Sequence, residues 1–265
     1  MIDRSARQQK TTKHKAFKGR NTFLIDGQRF AERCLMPESA LKAKLYWNKN
    51  SAYGSSVRWD IIDLIPRGPH KILDIGCGAG STVTKLRELG KAREILGIEI
   101  NENATHWPHG LDKLYIGDVE TMEVPYSEKR FDYILFGDVL EHLIDPGNVL
   151  STYASLLKDD GYIIASVPNV KFLDILLRLV FLDEFRYDDC GILDRSHLRF
   201  FTKSEAIKMF EGANLEVVDV IHIPYRQDVK RARDHLFHLV RRLLSRSSFS
   251  AVQYIIKAKK ATSST

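Results

Sequence analysis

Short, unbroken apolar runs alternate with helical stretches through the middle of the chain, and their order predicts an α/β fold. Ser55 or Ser56 is placed to cap a helix running to Ile65, where Pro66 stops it. A first strand is expected at 71–75, then a helix over 81–89 with Gly90 as its left-handed terminator. Further strands are predicted at Glu94–Ile98, Lys113–Ile116 and Phe131–Phe136. A helix over 147–157 precedes Gly161, and a fifth strand runs from Tyr162 to Val167. Strands without polar alternation suit a parallel sheet covered on both faces. Their regular alternation with helices implies a doubly wound sheet with right-handed crossovers.

The second half departs from this repetition. An apolar block at 171–182 follows the fifth strand; it suits a lid over an acceptor pocket, core packing, or a membrane-facing surface. Thr202-Lys203-Ser204-Glu205 has the pattern of a capping box and opens a helix to about Ala213. Strands are expected at Leu215–Ile223 and Ala251–Lys257, with a basic amphipathic helix at about 227–245 between them. Upstream, Ser5 to Arg20 is too polar to build a core, and a short helix is expected at 38–47. The resulting division is a basic arm at 1–44 and one domain at 45–265, with a lid-like insert at 170–200.

Charge sharpens this division. Residues 1–44 carry eleven Lys/Arg against four Asp/Glu, and residues 226–265 carry ten against two. With a net charge of +6 for the whole chain, the stretch between them is acidic. Basic ends suit an anionic partner: a membrane surface first, with nucleic acid the weaker expectation. No run of about 18 apolar residues occurs, so no membrane-spanning helix is expected. The N-terminus is basic and lacks an apolar signal core, and the three cysteines lack metal-ligand spacing. A cytoplasmic location, peripheral to the membrane, is the expectation.

The most informative chemistry lies in Lys71-Ile72-Leu73-Asp74-Ile75-Gly76-Cys77-Gly78-Ala79-Gly80. A strand that breaks into alternate glycines before a helix brings bare backbone N–H groups against a ligand. The dinucleotide fingerprint reads G-x-G-x-x-G; here the third glycine comes one place early and Ser81 stands where it should be. Asp74 has no use beside a pyrophosphate, but it has one beside a cationic or amino-acid ligand.

These details resemble the first motif of class I S-adenosylmethionine (SAM) methyltransferases. The stretch from Phe131 to Pro146 deepens the likeness, with Leu156–Gly161, Ser166–Asn169 and Asp194–Thr202 after it. It is similar to the subset that includes ubiquinone-biosynthesis O-methyltransferases and enzymes acting on bacterial surface glycans. The resemblance covers about residues 45–225. It is specific for the cofactor and weakly so for the acceptor. It implies a Rossmann-like seven-stranded sheet whose last strand is antiparallel, SAM as cofactor, and a small-molecule, sugar or lipid-linked acceptor methylated on oxygen. An RNA substrate, or a binding module without activity, are the other readings.

On that reading each part of SAM asks for a different group. Asp74 accepts from the methionine ammonium, and Gly76, Cys77, Gly78 and Gly80 let the cofactor lie against the backbone. Glu99, ending the second strand, takes the ribose hydroxyls; Asp118 accepts from the adenine amine, and the Val119 N–H meets a ring nitrogen. Asp138 looks onto the same crevice. A hydroxyl acceptor must lose its proton as it attacks, and two histidines are placed as the base. His142 follows Asp138 by one helical turn; His197 lies in a polar loop with Asp194 to orient it. Asp138, Glu141 and His142 at i, i+3 and i+4 would share one helix face. Similar ubiquinone-pathway enzymes use that pattern for a divalent cation, although no metal is assigned here.

Overall fold

The computed structural model describes residues 56–101, 110–124, 126, 129–225 and 248–262. The basic arm at 1–44, the 38–47 helix, the Ser55 alternative cap and the basic helix at 227–245 lie outside the described residues. In chain order the elements are α1 (Trp59–Ile62), β1 (His70–Ile75), α2 (Ser81–Glu88), β2 (Ala92–Glu99), β3 (Lys113–Ile116) and β4 (Phe131–Phe136). A 3-10 turn (Leu140–His142) follows, then α3 (Pro146–Ala154), β5 (Leu157–Pro168), α4 (Leu173–Leu182), α5 (Lys203–Gly212), β6 (Leu215–Pro224) and β7 (Ala251–Lys260).

The seven strands form one sheet in the order β3-β2-β1-β4-β5-β7-β6. β1 to β5 run parallel, and β7 pairs antiparallel with both β5 and β6. Strand order reverses between β1 and β4, the place where an open α/β sheet leaves a crevice at its carboxyl edge. Register makes that edge level: Ile75 lies beside Ile98 and Phe136, and Glu99 beside Ile116.

The pleat explains why the strand runs are apolar throughout. Leu73, Ile75, Ile134 and Phe136 join one buried cluster with Val149, Tyr153 and Phe210 of α3 and α5. Ile72, Tyr133 and Leu135, one residue out of phase, join another with Ile61, Ile62, Val83 and Leu86 of α1 and α2. Both faces are covered, so alternation disappears. Each fully buried aliphatic or aromatic side chain contributes roughly 1.5–3 kcal/mol.

Three expectations need correction. The first helix is one turn, Trp59–Ile62, with Arg58 at its N-cap and no side-chain capping bond, so Ser56 does not cap it. Beyond it the chain tightens, with Leu64 and Ile65 N–H donating to the Ile61 and Ile62 carbonyls, and Lys91 Nζ donates to the carbonyls of Ile62 and Ile65 at 2.7 and 2.5 Å. The helix expected at 147–157 stops at Ala154, and β5 begins at Leu157, five residues early. Cross-strand pairing overrides local propensity there: Leu157 pairs with Phe131, across a register shift in β4. The third concerns core packing of the apolar block at 171–182, which holds for part of it. Only the first turn of α4 packs, through Leu173 and Ile175, while Leu179, Val180, Phe181 and Leu182 are exposed. Elsewhere Thr202 caps α5 by accepting from the Glu205 N–H, and Gly90 follows α2 at φ 64°.

Gly97 in β2 shows how closely the sheet supports the glycine turn. A Cβ there would stand 2.8 Å from the Cys77 sulfur and 2.8 Å from a Leu111 methyl. Gly97→Val is expected to destabilise the protein by about 1–3 kcal/mol through overpacking, read as a lower urea midpoint with an unchanged slope.

Candidate functional site

The turn after β1 is held by backbone and by one carboxylate. Gly76, Gly78 and Gly80 have φ of 71°, 52° and 74°, a region that side chains with a Cβ enter at a cost. At Gly76 a Cβ would also meet Val139 Cγ2 at 2.5 Å. The Gly76 N–H donates to the Ile98 carbonyl at 2.8 Å, and Gly80 N–H to the Cys77 carbonyl at 2.9 Å. Glu99 then bridges two loops: one oxygen accepts from Gly78 N–H and the other from Asn101 N–H, both at 2.9 Å. Each oxygen keeps a second lone pair.

Asp74 is the penultimate residue of β1, Glu99 ends β2 and Asp118 lies at the start of the loop after β3, and all three are buried to 8% exposure or less. Burial, reinforced by the negative charge of Glu99 and opposed by Arg58, pushes the Asp74 carboxyl up from its ordinary 3.8 to about 7. Two acids desolvated at one edge create a demand for positive charge. Asp118 turns its own loop by accepting from the Glu120 N–H at 3.0 Å, which leaves half-buried Val119 between them. Cys77 lies beneath the turn, its thiol pushed well above the usual range by burial and by Asp74 and Glu99. It is a packing residue as much as a backbone one.

Asp138 lies at the end of β4 with φ 58°, a strained conformation for a residue with a side chain. Its surroundings hold it there. Ser166 Oγ accepts from the Asp138 N–H and donates to Oδ1, each at 2.8 Å, while Arg58 and Gln253 donate to the carboxylate. Arg58 also forks onto Asp60 at 3.0 and 2.8 Å and donates to Gln253 Oε1 at 3.1 Å. Burial works against the Arg58 charge, but Asp138 and Asp60 outweigh it and raise its pKa. The Arg58 N–H bonds Thr82 Oγ1 at the start of α2, tying this arginine to the glycine turn.

Arg58, Ser166 and Gln253 have no periodic signature that singles them out. Ser166 and Gln253 offer a hint, each a polar residue inside the apolar run of its strand, β5 and β7. Arg58 stands before a single helical turn and meets the site only through the fold.

The histidines come together although 55 residues separate them. The rings of His142 and His197 pack edge to face with centroids 4.7 Å apart. His142 Nδ1 lies 3.0 Å from the Ser196 carbonyl and His197 Nδ1 lies 2.9 Å from the Ile192 carbonyl. A carbonyl only accepts, so both Nδ1 atoms carry a proton, and Nε2 is the nitrogen left for other chemistry on each ring. At Nδ1, orientation of His197 thus comes from Ile192, whereas the expected orienter Asp194 accepts from the Ser196 N–H and Oγ, at 2.8 and 2.6 Å. Glu141 completes the group, 4.0 Å from His197 Nε2. Its carbonyl accepts from the N–H groups of Leu198 and Arg199, which fastens the insert to the 3-10 turn.

The expected helix face of Asp138, Glu141 and His142 does not form. The 3-10 turn begins at Leu140, so Asp138 lies outside it and faces Arg58, Ser166 and Gln253 instead. Residues 141 and 142 face the insert.

Residues 46–220 match the family described as a methyltransferase domain. A ubiquinone biosynthesis O-methyltransferase of Burkholderia pseudomallei is 25% identical over 201 residues, covering 71% of this chain and 85% of that protein. One from Bradyrhizobium diazoefficiens is 31% identical over 117 residues, 43% and 46% of the two chains. Among solved structures, a SAM-dependent methyltransferase from Archaeoglobus fulgidus superimposes with a TM-score of 0.53 at 19% identity, over 89% of this chain and all of that one. Another from Methanosarcina mazei gives 0.55 at 17% identity, over 78% and 99%. With the strand order, the glycine turn and the family match in agreement, the chain belongs to the methyltransferase domain family, in its class I form that uses S-adenosylmethionine.

Proposed function

We propose that this methyltransferase moves the SAM methyl group to an oxygen of a small, sugar or lipid-linked acceptor, by in-line displacement at the cytoplasmic face of a membrane. The observation that carries the cofactor half is the set of buried carboxylates at 74, 99 and 118 around the glycine turn, each two residues further along than its neighbour in register. Asp74 receives the methionine ammonium, and Glu99 offers the ribose its remaining lone pairs. Asp118 receives the adenine amine, and Val119 meets the ring through its N–H. Gly76, Cys77, Gly78 and Gly80 supply the backbone surface. Asp138 borders the cofactor crevice, where Arg58 adds a fixed positive charge.

Oxygen as the methylated atom is supported by the paired imidazoles of His142 and His197, either of which can receive an acceptor proton through Nε2. The names of the O-methyltransferase relatives point the same way. The sulfonium is already a good leaving group, so alignment does most of the catalytic work. Positioning can supply about 7–11 kcal/mol. A lipid-linked acceptor suits the exposed Leu179, Val180, Phe181 and Leu182 at the end of α4. Among the described residues no helix is long and apolar enough to cross a membrane.

The test is incubation of the protein with methyl-labelled SAM and separated lipid, glycan and RNA fractions, with products read by mass spectrometry. Label on an oxygen of a lipid or glycan is expected. Label confined to RNA, or no transfer despite SAM binding, would sink the acceptor reading. His142→Ala and His197→Ala should lower turnover by about 100-fold or more in one or both cases while leaving SAM affinity intact.

The Asp74 carboxyl sets a pH dependence. An ionised carboxylate attracts the ammonium, so SAM affinity should weaken by up to tenfold per unit as pH falls below about 7, and level off above it. For the free protein the sign is opposite. The unfolded chain releases this proton near 3.8 but the folded chain keeps it to about 7, so folding stability from Asp74 is full below 3.8 and lost as pH rises to 7. Asp74→Asn should flatten both profiles and weaken SAM binding at pH 8 by roughly 10–100-fold, the cost of one charged hydrogen bond. Titration calorimetry and thermal melts across pH 5–9 would read both.

Glu99→Ala removes the bridge between Gly78 and Asn101 as well as the ribose acceptor. Loss of SAM affinity by at least about 100-fold is expected, in fluorescence titration at pH 8.

A further inference from the structure

We infer that Glu120 and Arg199 are positioning residues that couple the adenine side of the cofactor site to the insert, through the peptide unit between Ile144 and Asp145. The inference rests on the reading that Asp118 receives the adenine amine. Glu120 follows Asp118 by two residues, and Arg199 belongs to the insert. Oε1 of Glu120 accepts from the N–H groups of Ile144 and Asp145, at 2.9 and 2.8 Å. On the other side of the same peptide unit, Arg199 donates to the Ile144 carbonyl through Nε at 3.1 Å and again through Nη2. One peptide group therefore has a carboxylate on its N–H and a guanidinium on its C=O.

Charge at both ends makes this more than a loop contact. Hydrogen bonds to an ionised partner are roughly twice as strong as neutral ones, and bonds in series polarise one another. A direct surface ion pair between two such side chains would add little, because solvent screens it and both long chains must be ordered. Here the peptide unit stands between them and gives each a fixed partner. Both ends are joined onward. The Glu120 N–H donates to Asp118 Oδ1 at 3.0 Å, and the N–H groups of Thr121 and Met122 donate to the Asp118 carbonyl at 3.0 and 2.8 Å. Beyond the peptide unit, the Leu198 and Arg199 N–H groups donate to the Glu141 carbonyl at 2.8 and 3.0 Å, and the Ser196 carbonyl meets His142 Nδ1. A continuous path of bonds thus runs from Asp118 to the part of the insert that carries His197.

Such a path carries order from one site to the other. Adenine held by Asp118 would fix the loop at 118–122, and Glu120 would then lose less freedom in keeping its bonds to Ile144 and Asp145. Ordering that one ligand has already supplied need not be supplied again, which links two sites without a change of shape. SAM binding therefore tightens the insert, and the acceptor's surroundings are completed with the methyl donor in place. Linkage works in both directions, so loosening the insert must weaken SAM by the same factor. Neither Glu120 nor Arg199 needs to touch the reacting atoms. Sequence spacing does not reveal the pair, since 24 and 55 residues separate them from Ile144.

The test is amide hydrogen exchange, read by mass spectrometry, on the full chain with and without saturating SAM. In the wild type SAM should slow exchange at 117–122, 143–145 and 196–199, the last by at least about fivefold, the lower end of coupling between sites. Glu120→Ala should keep the slowing at 117–122 and lose it at 143–145 and 196–199. Arg199→Ala should keep it at the first two segments and lose it at 196–199, with SAM affinity reduced by at least about fivefold. Glu120→Gln, which retains an accepting oxygen, should restore slowing at 196–199 in part. A residue that only holds the fold together would change exchange equally with and without SAM, and that result would overturn the inference. Slowing at 117–122 with none at 196–199 in the wild type would overturn the coupling and leave the adenine reading standing. No slowing at 117–122 on a protein that binds SAM would remove both. Slowing at 196–199 that survives in both alanine variants would also overturn the coupling. If Glu120→Ala does not fold, Arg199→Ala, a change at an exposed side chain, decides by the same criteria.

Discussion

A glycine turn that must stay open for a ligand cannot be stabilised by side chains of its own, so something outside it has to hold its shape. Glu99 does this. Its two oxygens accept from Gly78 on one loop and Asn101 on the other, and its strand carries the Ile98 carbonyl that receives Gly76 and Cys77. The end of β2 thereby shapes the end of β1. Asp74 and Glu99 are brought into electrostatic contact by the same arrangement, and burial keeps solvent from relieving it. Positive charge brought to this edge would relieve both acids at once. The shape of the turn and its appetite for positive charge therefore have one origin.

A second polar network sits where strand order reverses. Asp138 stays in a left-handed conformation because Ser166, Arg58 and Gln253 each bond it, from β5, the segment before α1, and β7. Such strain persists only where neighbours over-determine it. The network explains why the antiparallel β7 matters to the site: it delivers Gln253 to the middle of the edge while closing the core through Tyr254, Ile255 and Ile256.

The insert is joined to the sheet by polar chemistry at its two ends. Asn169 Nδ2 donates to the carbonyls of Ser248 and Ala251, both at 2.7 Å, and anchors the start beside β7. Glu141, His142 and their bonds to residues 196–199 anchor the return. Between them the tip of α4 remains apolar and exposed.

Much of this was legible in the residues alone. Apolar runs placed β3 and β4 at their observed bounds, and the glycine spacing placed the turn between β1 and α2, because both depend on local backbone geometry and on the burial of neighbouring positions. Gly90 and Thr202 marked helix ends for the same reason. What the chain could not announce was partnership at long range. The early start of β5 follows from its pairing with Phe131, and Arg58 meets Asp138 across 80 residues. Whether His142 shares its buried corner with Asp138 or with His197 was likewise decided by tertiary structure, since a 3-10 turn in place of an α-helix redirects each side chain. Periodicity records which face a residue turns inward; only the packed sheet and its insert determine what it meets there.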